Sequence, residues 1–176
     1  MLLLPRKSDD MWKIGAMATA FANGDFICIV AQSVGMMAYP EPSASPHYLS
    51  PNVDDAALGS ALRAALASSK RVSVDEFQEI WKSGVIDNIE SDRDNWIKKQ
   101  YGYKTKRAMY KNMDTCNVSS VDGQIKIQPT HQKSLDGYTV RKDEGPFPLY
   151  VPGTATDAEL GAVLREGFKR CTSAIR

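Results

Sequence analysis

The feature that most constrains this chain is a helix spelled twice. "NVDDAALGSALRAAL" (52–66) returns as "TATDAELGAVLREGF" (154–168), 102 residues later. Aligned without a gap, 48–69 and 150–171 agree at seven of 22 positions, among them Tyr48/Tyr150, Asp55/Asp157, Gly59/Gly161, Leu62/Leu164 and Arg63/Arg165. Each copy reads as an extended lead-in, a cap (Asp54 or Thr156) and an amphipathic helix. A mid-helix glycine costs about 1 kcal/mol relative to alanine, so a glycine in both copies points to a second backbone lying close. The repeat therefore predicts two equivalent helices side by side on one sheet, with its Leu, Gly and Arg serving packing rather than chemistry.

The remaining segments supply that sheet. "MWKIGAMATAFANGDFICIVAQS" is two apolar runs around Asn23-Gly24, a hairpin signature, and the unbroken apolar run 27–30 predicts a strand buried on both faces. "AMYKNMDTCNVSS", "VDGQ" and "IKIQPTH" spell a second hairpin, with "GYTVR" as one more strand. Residues 39–51 carry four prolines and three serines and predict a connector without regular structure. "SVDE" (Ser73, Glu76) opens a helix with Phe77, Ile80 and Trp81 inside, and a further helix covers about 92–100, ending near Gly102. The order β-β-α-α-α-β-β-β-α predicts a single α+β domain over 1–176. It has a mainly antiparallel sheet of about five strands in two hairpins, with about four helices on it.

The pairing of "LSPNVDDAALGSALRAALASS" with "YVPGTATDAELGAVLREGFKR" resembles the immunity proteins of bacterial contact-dependent growth inhibition systems. So does the middle segment "AMYKNMDTCNVSSVDGQIKIQPTHQ", and the likeness runs from about residue 31 to the end. The resemblance implies a small cytoplasmic protein that binds and neutralises the toxic C-terminal domain of a large secreted effector. Such toxins are commonly nucleases, often cutting tRNA. The family shares no catalytic motif, so the resemblance transfers a role and no site residue.

Chemistry read from the residues is sparse. "MLLLP" lacks a basic leader, and no apolar run reaches the roughly 18 residues of a membrane span. The three cysteines, Cys28, Cys116 and Cys171, are widely spaced and predict reduced thiols in a cytoplasm. His47 and His131 have no ligand partner at helical spacing, and neither a Cys-x-x-Cys pair nor a phosphate loop occurs, so no metal or cofactor is expected. A Cys116–His131 nucleophile pair across the second hairpin is the one catalytic arrangement the strands allow.

Charge distribution says more. Between Asp75 and Asp94, seven acids face only Lys82 and Arg93. Lys98, Lys99, Lys104, Lys106, Arg107 and Lys111 then follow with no acid between Asn95 and Met113. The acidic block suits the basic cleft of a nuclease, and Asp87, Glu90, Asp92 and Asp94 with Trp96 form the expected toxin-binding residues. The basic block, with Tyr101, Tyr103 and Tyr110 interleaved, supports an alternative, an RNA-binding module over 98–111. Trp12, Trp81 and Trp96 are candidate interface anchors; Trp81, on the Phe77–Ile80 face, is expected in the core.

Overall fold

Turn chemistry sets the first pairings. The computed structural model describes residues 14–176, so Trp12 and the "MLLLP" start lie outside the described residues. β1 (Ile14–Ala22) and β2 (Ile27–Val34) pair antiparallel across Asn23-Gly24, and every residue of β2 is buried. β3 (Ala38–Pro40) and β4 (His47–Leu49) follow, then α1 (Asp55–Ala67), α2 (Val74–Lys82), α3 (Val85–Tyr101) and α4 (Lys106–Tyr110). β5 (Asp114–Val121) and β6 (Gln124–Pro129) form the second hairpin. Its Asp122-Gly123 turn has both residues at positive φ, 50° and 76°, the twist a two-residue hairpin needs. β7 (His131–Ser134), β8 (Gly137–Thr139), β9 (Leu149–Pro152), α5 (Asp157–Arg170) and β10 (Thr172–Ser173) complete the chain.

The main sheet runs β3-β2-β1-β5-β6-β9, with β4 beside β3 along the same edge of β2. All its pairings are antiparallel; a small second sheet, β10-β7-β8, holds the one parallel pair between strands of the described residues. With β3 set aside, the order β4-β2-β1-β5-β6-β9 reads alike from either end. Each half is a hairpin, an edge strand and a helix: β1-β2-β4-α1 and β5-β6-β9-α5. The repeated sequence is thus the visible part of a pseudo-two-fold arrangement, whose lead-ins are the two edge strands.

α1 and α5 lie together on one face of the sheet. Asp54 and Thr156 cap them with nearly identical backbone angles, and at Thr156 both halves of the reciprocal bond with Glu159 form. Leu58, Leu62, Leu160 and Leu164 are all fully buried against Ala18, Ala20, Ile29, Val118 and Ile127. The glycines do what their doubling predicts. A Cβ on Gly59 would stand 1.8 Å from the Asp157 carbonyl oxygen, and one on Gly161 would stand 1.9 Å from that of Asp55. The arginines complete the symmetry. Arg63 Nε donates to Asp157 (2.8 Å) and its NH groups to the carbonyls of Gly153 (3.0 Å) and Ala155 (2.6 Å). Arg165 makes the equivalent bonds to Asp55 (2.7 Å), Pro51 (2.9 Å) and Val53. Each arginine therefore ties down the other helix's lead-in.

Three expectations need correction. The proline-rich 39–51 segment is not irregular throughout: β3 ends and β4 lies within it, both bonded to β2. Prolines are tolerated there because both strands sit at a sheet edge and Pro40 closes its strand. "AMY" belongs to α4, not to the strand that begins at Asp114. Counts also rise, to ten strands and five helices among the described residues, because three- and four-residue edge strands leave little trace in sequence.

Candidate functional site

The opposite face of the sheet is unequal in its two halves. α3 and α4 cover the β2 side, where Phe26, Cys28, Val30, Ile97, Met109, Tyr110 and Met113 form a second core. α3 starts after Gly84, seven residues earlier than the sequence suggests, and ends at Gly102. All five expected toxin-binding residues therefore lie on this one helix. Its period divides them. Asp87, Glu90 and Asp94 (i, i+3, i+7) share a stripe, while Asp92 and Trp96 (i, i+4) share another. Asp87 and Asp92 are exposed. Asp94 is half-buried and accepts a 2.7 Å bond from the Tyr110 hydroxyl. Trp96 is 43% exposed and stacks on Tyr48, ring centroids 4.0 Å apart, so it is shared between core and surface.

The interleaved tyrosines serve the second core. Tyr110 is buried, Tyr101 stacks on Phe26 at 4.8 Å, and Tyr103 donates to Asp25 while accepting from Asn23 (2.9 Å). Burial is also the main cause that pushes the Tyr103 phenol up to about 12. Base stacking needs open ring faces, and these rings are committed to packing; Lys106 is committed to Asp136 at 2.8 Å.

The catalytic pair does not form. Cys116 is fully buried with Cys171 as its sulfur neighbour at 3.8 Å, and burial holds its thiol well above the usual range. His131 Nδ1 instead meets Thr172 Oγ1 at 2.7 Å. Among the described residues no group of three His, Cys, Asp or Glu could hold a metal ion, and no helix is long and apolar enough to cross a membrane. Trp81, expected inside, is 46% exposed: Phe77 takes the core position, and Trp81 lies against it beside Met36 and Met37.

On the β5–β6 side the same face stays open, forming a cavity of about 970 Å³ walled by α3, β7–β8 and the 140–148 loop. Its floor is polar in register, since Thr19 of β1 faces Asn117 of β5, which faces Gln128 of β6. Thr19 Oγ1 and Asn117 Oδ1 are buried there without a hydrogen-bond partner, while the Thr115 and Tyr138 hydroxyls face each other. Arg93 lies over the Phe21 ring at 5.0 Å, with no ion pair among the described residues. Burial opposes its charge, but Tyr110, Cys28, Asp94 and Glu90 outweigh that, so the guanidinium stays protonated. The sequence held a signal for this floor: Thr115, Asn117 and Ser119 alternate with buried Cys116 and Val118, as do Lys126 and Gln128 with Ile125 and Ile127.

The chain matches the sequence model of a family described as CDI immunity protein over residues 16–171. It is 32% identical over 168 residues to the immunity protein CdiI-YPIII of Yersinia pseudotuberculosis serotype O:3, covering 89% of this chain and 95% of that one. Among solved structures, it resembles a Neisseria meningitidis protein of unknown function (TM-score 0.80, 26% identity, 89% of this chain and 94% of that one). It also resembles a chain of the CdiA-CT/CdiI toxin and immunity complex from Yersinia pseudotuberculosis (TM-score 0.79, 26% identity, 89% and 97%).

Proposed function

The chain belongs to the CDI immunity protein family, and from that premise we propose that it binds and neutralises the toxic C-terminal domain of a cognate effector in the cytoplasm. The observation that carries this reading is the extent of the family match, which takes in the whole fold rather than an isolated motif. Inhibition needs no chemistry from the chain. A rigid scaffold that occludes a cleft is sufficient, which suits a buried thiol and an imidazole already bonded to Thr172.

The toxin is a nuclease, whose basic cleft meets α3. Asp87 and Glu90 face it directly, Asp94 is the half-buried end of their stripe, and Asp92 with Trp96 extends the contact along the second stripe. Charge of this kind acts chiefly on encounter rate and orientation. Co-expression with the toxin domain encoded beside this chain tests the proposal. Restored growth and co-purification are expected; unrelieved toxicity without association at micromolar concentration would overturn it. Cleavage of RNA by the isolated toxin, suppressed by the added chain, tests the nuclease assignment separately.

A further inference from the structure

We propose that Cys116 and Cys171 are an oxidative modification site: a hydroperoxide converts the pair to a disulfide that ties the end of α5 to β5. The inference stands apart from the toxin reading and comes from a place where the two halves of the fold differ. Tyr48 and Tyr150 pair with Cys28 and Lys126, which pair in turn with Phe21 and Ser119. That register makes Ala18 of β1 the equivalent of Cys116 of β5, and the sequence repeat makes Ser69 the equivalent of Cys171. Ser69 follows α1 and is fixed by backbone, accepting from Met17 N (3.0 Å) and donating to the Gln32 carbonyl (2.6 Å). Cys171 takes the same place beside β5, its sulfur 3.4 Å from the carbonyl of Thr115, the equivalent of Met17. The first half thus holds a methyl group and a hydroxyl where the second holds two thiols 3.8 Å apart. Packing alone does not require that exchange, since the first half builds the same junction without sulfur.

The surroundings divide the roles. Cys116 is fully buried, whereas Cys171 is partly exposed at the C-cap of α5. The Cys116 thiol donates to the Cys171 sulfur and holds its pKa below the ordinary thiol value, although burial pushes the other way. Cys171 is therefore the sulfur that meets the oxidant, as reactive thiols are accessible and readily ionised. With hydrogen peroxide it attacks one oxygen, the O–O bond breaks, and the departing hydroxide takes the Cys171 proton to leave as water. The Cys116 sulfur then attacks the sulfenic sulfur, the S–O bond breaks, and that hydroxide leaves as a second water with the Cys116 proton. Two electrons leave the thiol pair and two reduce the peroxide. Closure from 3.8 Å to the roughly 2.05 Å of a disulfide asks for a small movement. Cys171, in extended backbone (φ −62°, ψ 144°) where the helix has ended, supplies it. Gly167 leaves the space, because a Cβ there would stand 3.2 Å from the Cys116 sulfur. The bond joins residues 55 apart, and the loop it closes carries β6, β9 and α5 of the second half.

The test exposes the folded full chain to hydrogen peroxide and follows intact mass, alkylation and thermal unfolding. The expected product has lost two hydrogen atoms. Once unfolded it alkylates at Cys28 alone, against all three cysteines in the reduced chain. Peptide mapping then joins Cys116 to Cys171. The thermal midpoint rises by about 5 °C or more and returns when a dithiol reductant is added. Cys28 stays free, because it lies in the second core with its thiol pushed up to about 12 by burial. Cys171→Ser and Cys116→Ala copy the residues of the first half, so both fold, and the midpoint of neither rises with peroxide. Three alkylatable thiols after peroxide, oxygen added to Cys171 without a link to Cys116, or a cross-link between two chains each overturns the inference.

Discussion

The two faces of the central sheet were built by different rules. On the face that carries α1 and α5, the two helices meet around a pseudo-two-fold axis, and the paired elements satisfy one another: glycine against carbonyl, arginine against aspartate and two carbonyls, leucine against the equivalent strands of each half. On the other face the duplication is broken. α3 and α4 cover the first half, and over the second half the sheet turns polar and stays open. A face whose groups are all matched internally holds little free energy for a partner. One with unmatched polar atoms, exposed aromatics and lysines unpaired among the described residues holds more. The contrast puts mutually satisfied packing in the repeated part and leaves unmatched polar groups in the part that departs from the repeat.

Substitutions separate the two faces by their effect on stability. The largest effect is expected from Gly59→Ala and Gly161→Ala. Each Cβ would collide with backbone, so each loses about 3 kcal/mol or more despite alanine's better helix propensity. Urea unfolding checks this, and a tolerated Gly59→Ala would mean the helices do not approach as described. Next come Arg63→Ala and Arg165→Ala, each losing about 2 kcal/mol through three bonds to half-exposed partners. Their losses should agree within roughly 0.5 kcal/mol; a large inequality would break the two-fold equivalence.

Glu41, buried at the β2 edge, is a smaller case. Burial raises its pKa, but the hydroxyls of Ser33 and Ser43, the Ser43 backbone and Lys70 lower it more, and the net direction is down. A depressed folded pKa stabilises above the unfolded carboxylate range and loses that contribution as pH falls through the folded value. Glu41→Gln should therefore cost about 1 kcal/mol at neutral pH, with the gap to wild type closing under acid. A constant gap from neutral to acid would assign the loss to packing. On the open face the sign changes. Thr19→Val removes an unpartnered hydroxyl and should leave stability level or raise it by up to about 1 kcal/mol. Smallest of all, Asp87→Lys with Glu90→Lys should shift stability by less than about 0.5 kcal/mol while slowing toxin association at low salt. An unchanged on-rate would remove that stripe from the interface.

Much of the fold was legible because its signals are local. The caps at Asp54, Ser73 and Thr156, the Asn23-Gly24 and Asp122-Gly123 turns, and the run through β2 each depend on a few adjacent residues. The repeat extended that reach, since matched glycines announce a close contact without naming its partner. Trp81 misled because two helical positions beside Phe77 look alike in sequence, and only the neighbouring elements decide which is covered. The acidic residues expected at the contact all lie on α3, but the helix period divides them between two stripes.

By itself, then, the sequence determined the two hairpins, the paired helices and the family, all carried by short-range pattern or by the repeat. Tertiary structure alone decided that β4 and β9 are the matching edges, that Arg63 and Arg165 each hold the other's lead-in, and that half of one face remains open. These depend on strand pairing and on contacts about a hundred residues apart in the chain, which side-chain periodicity cannot encode.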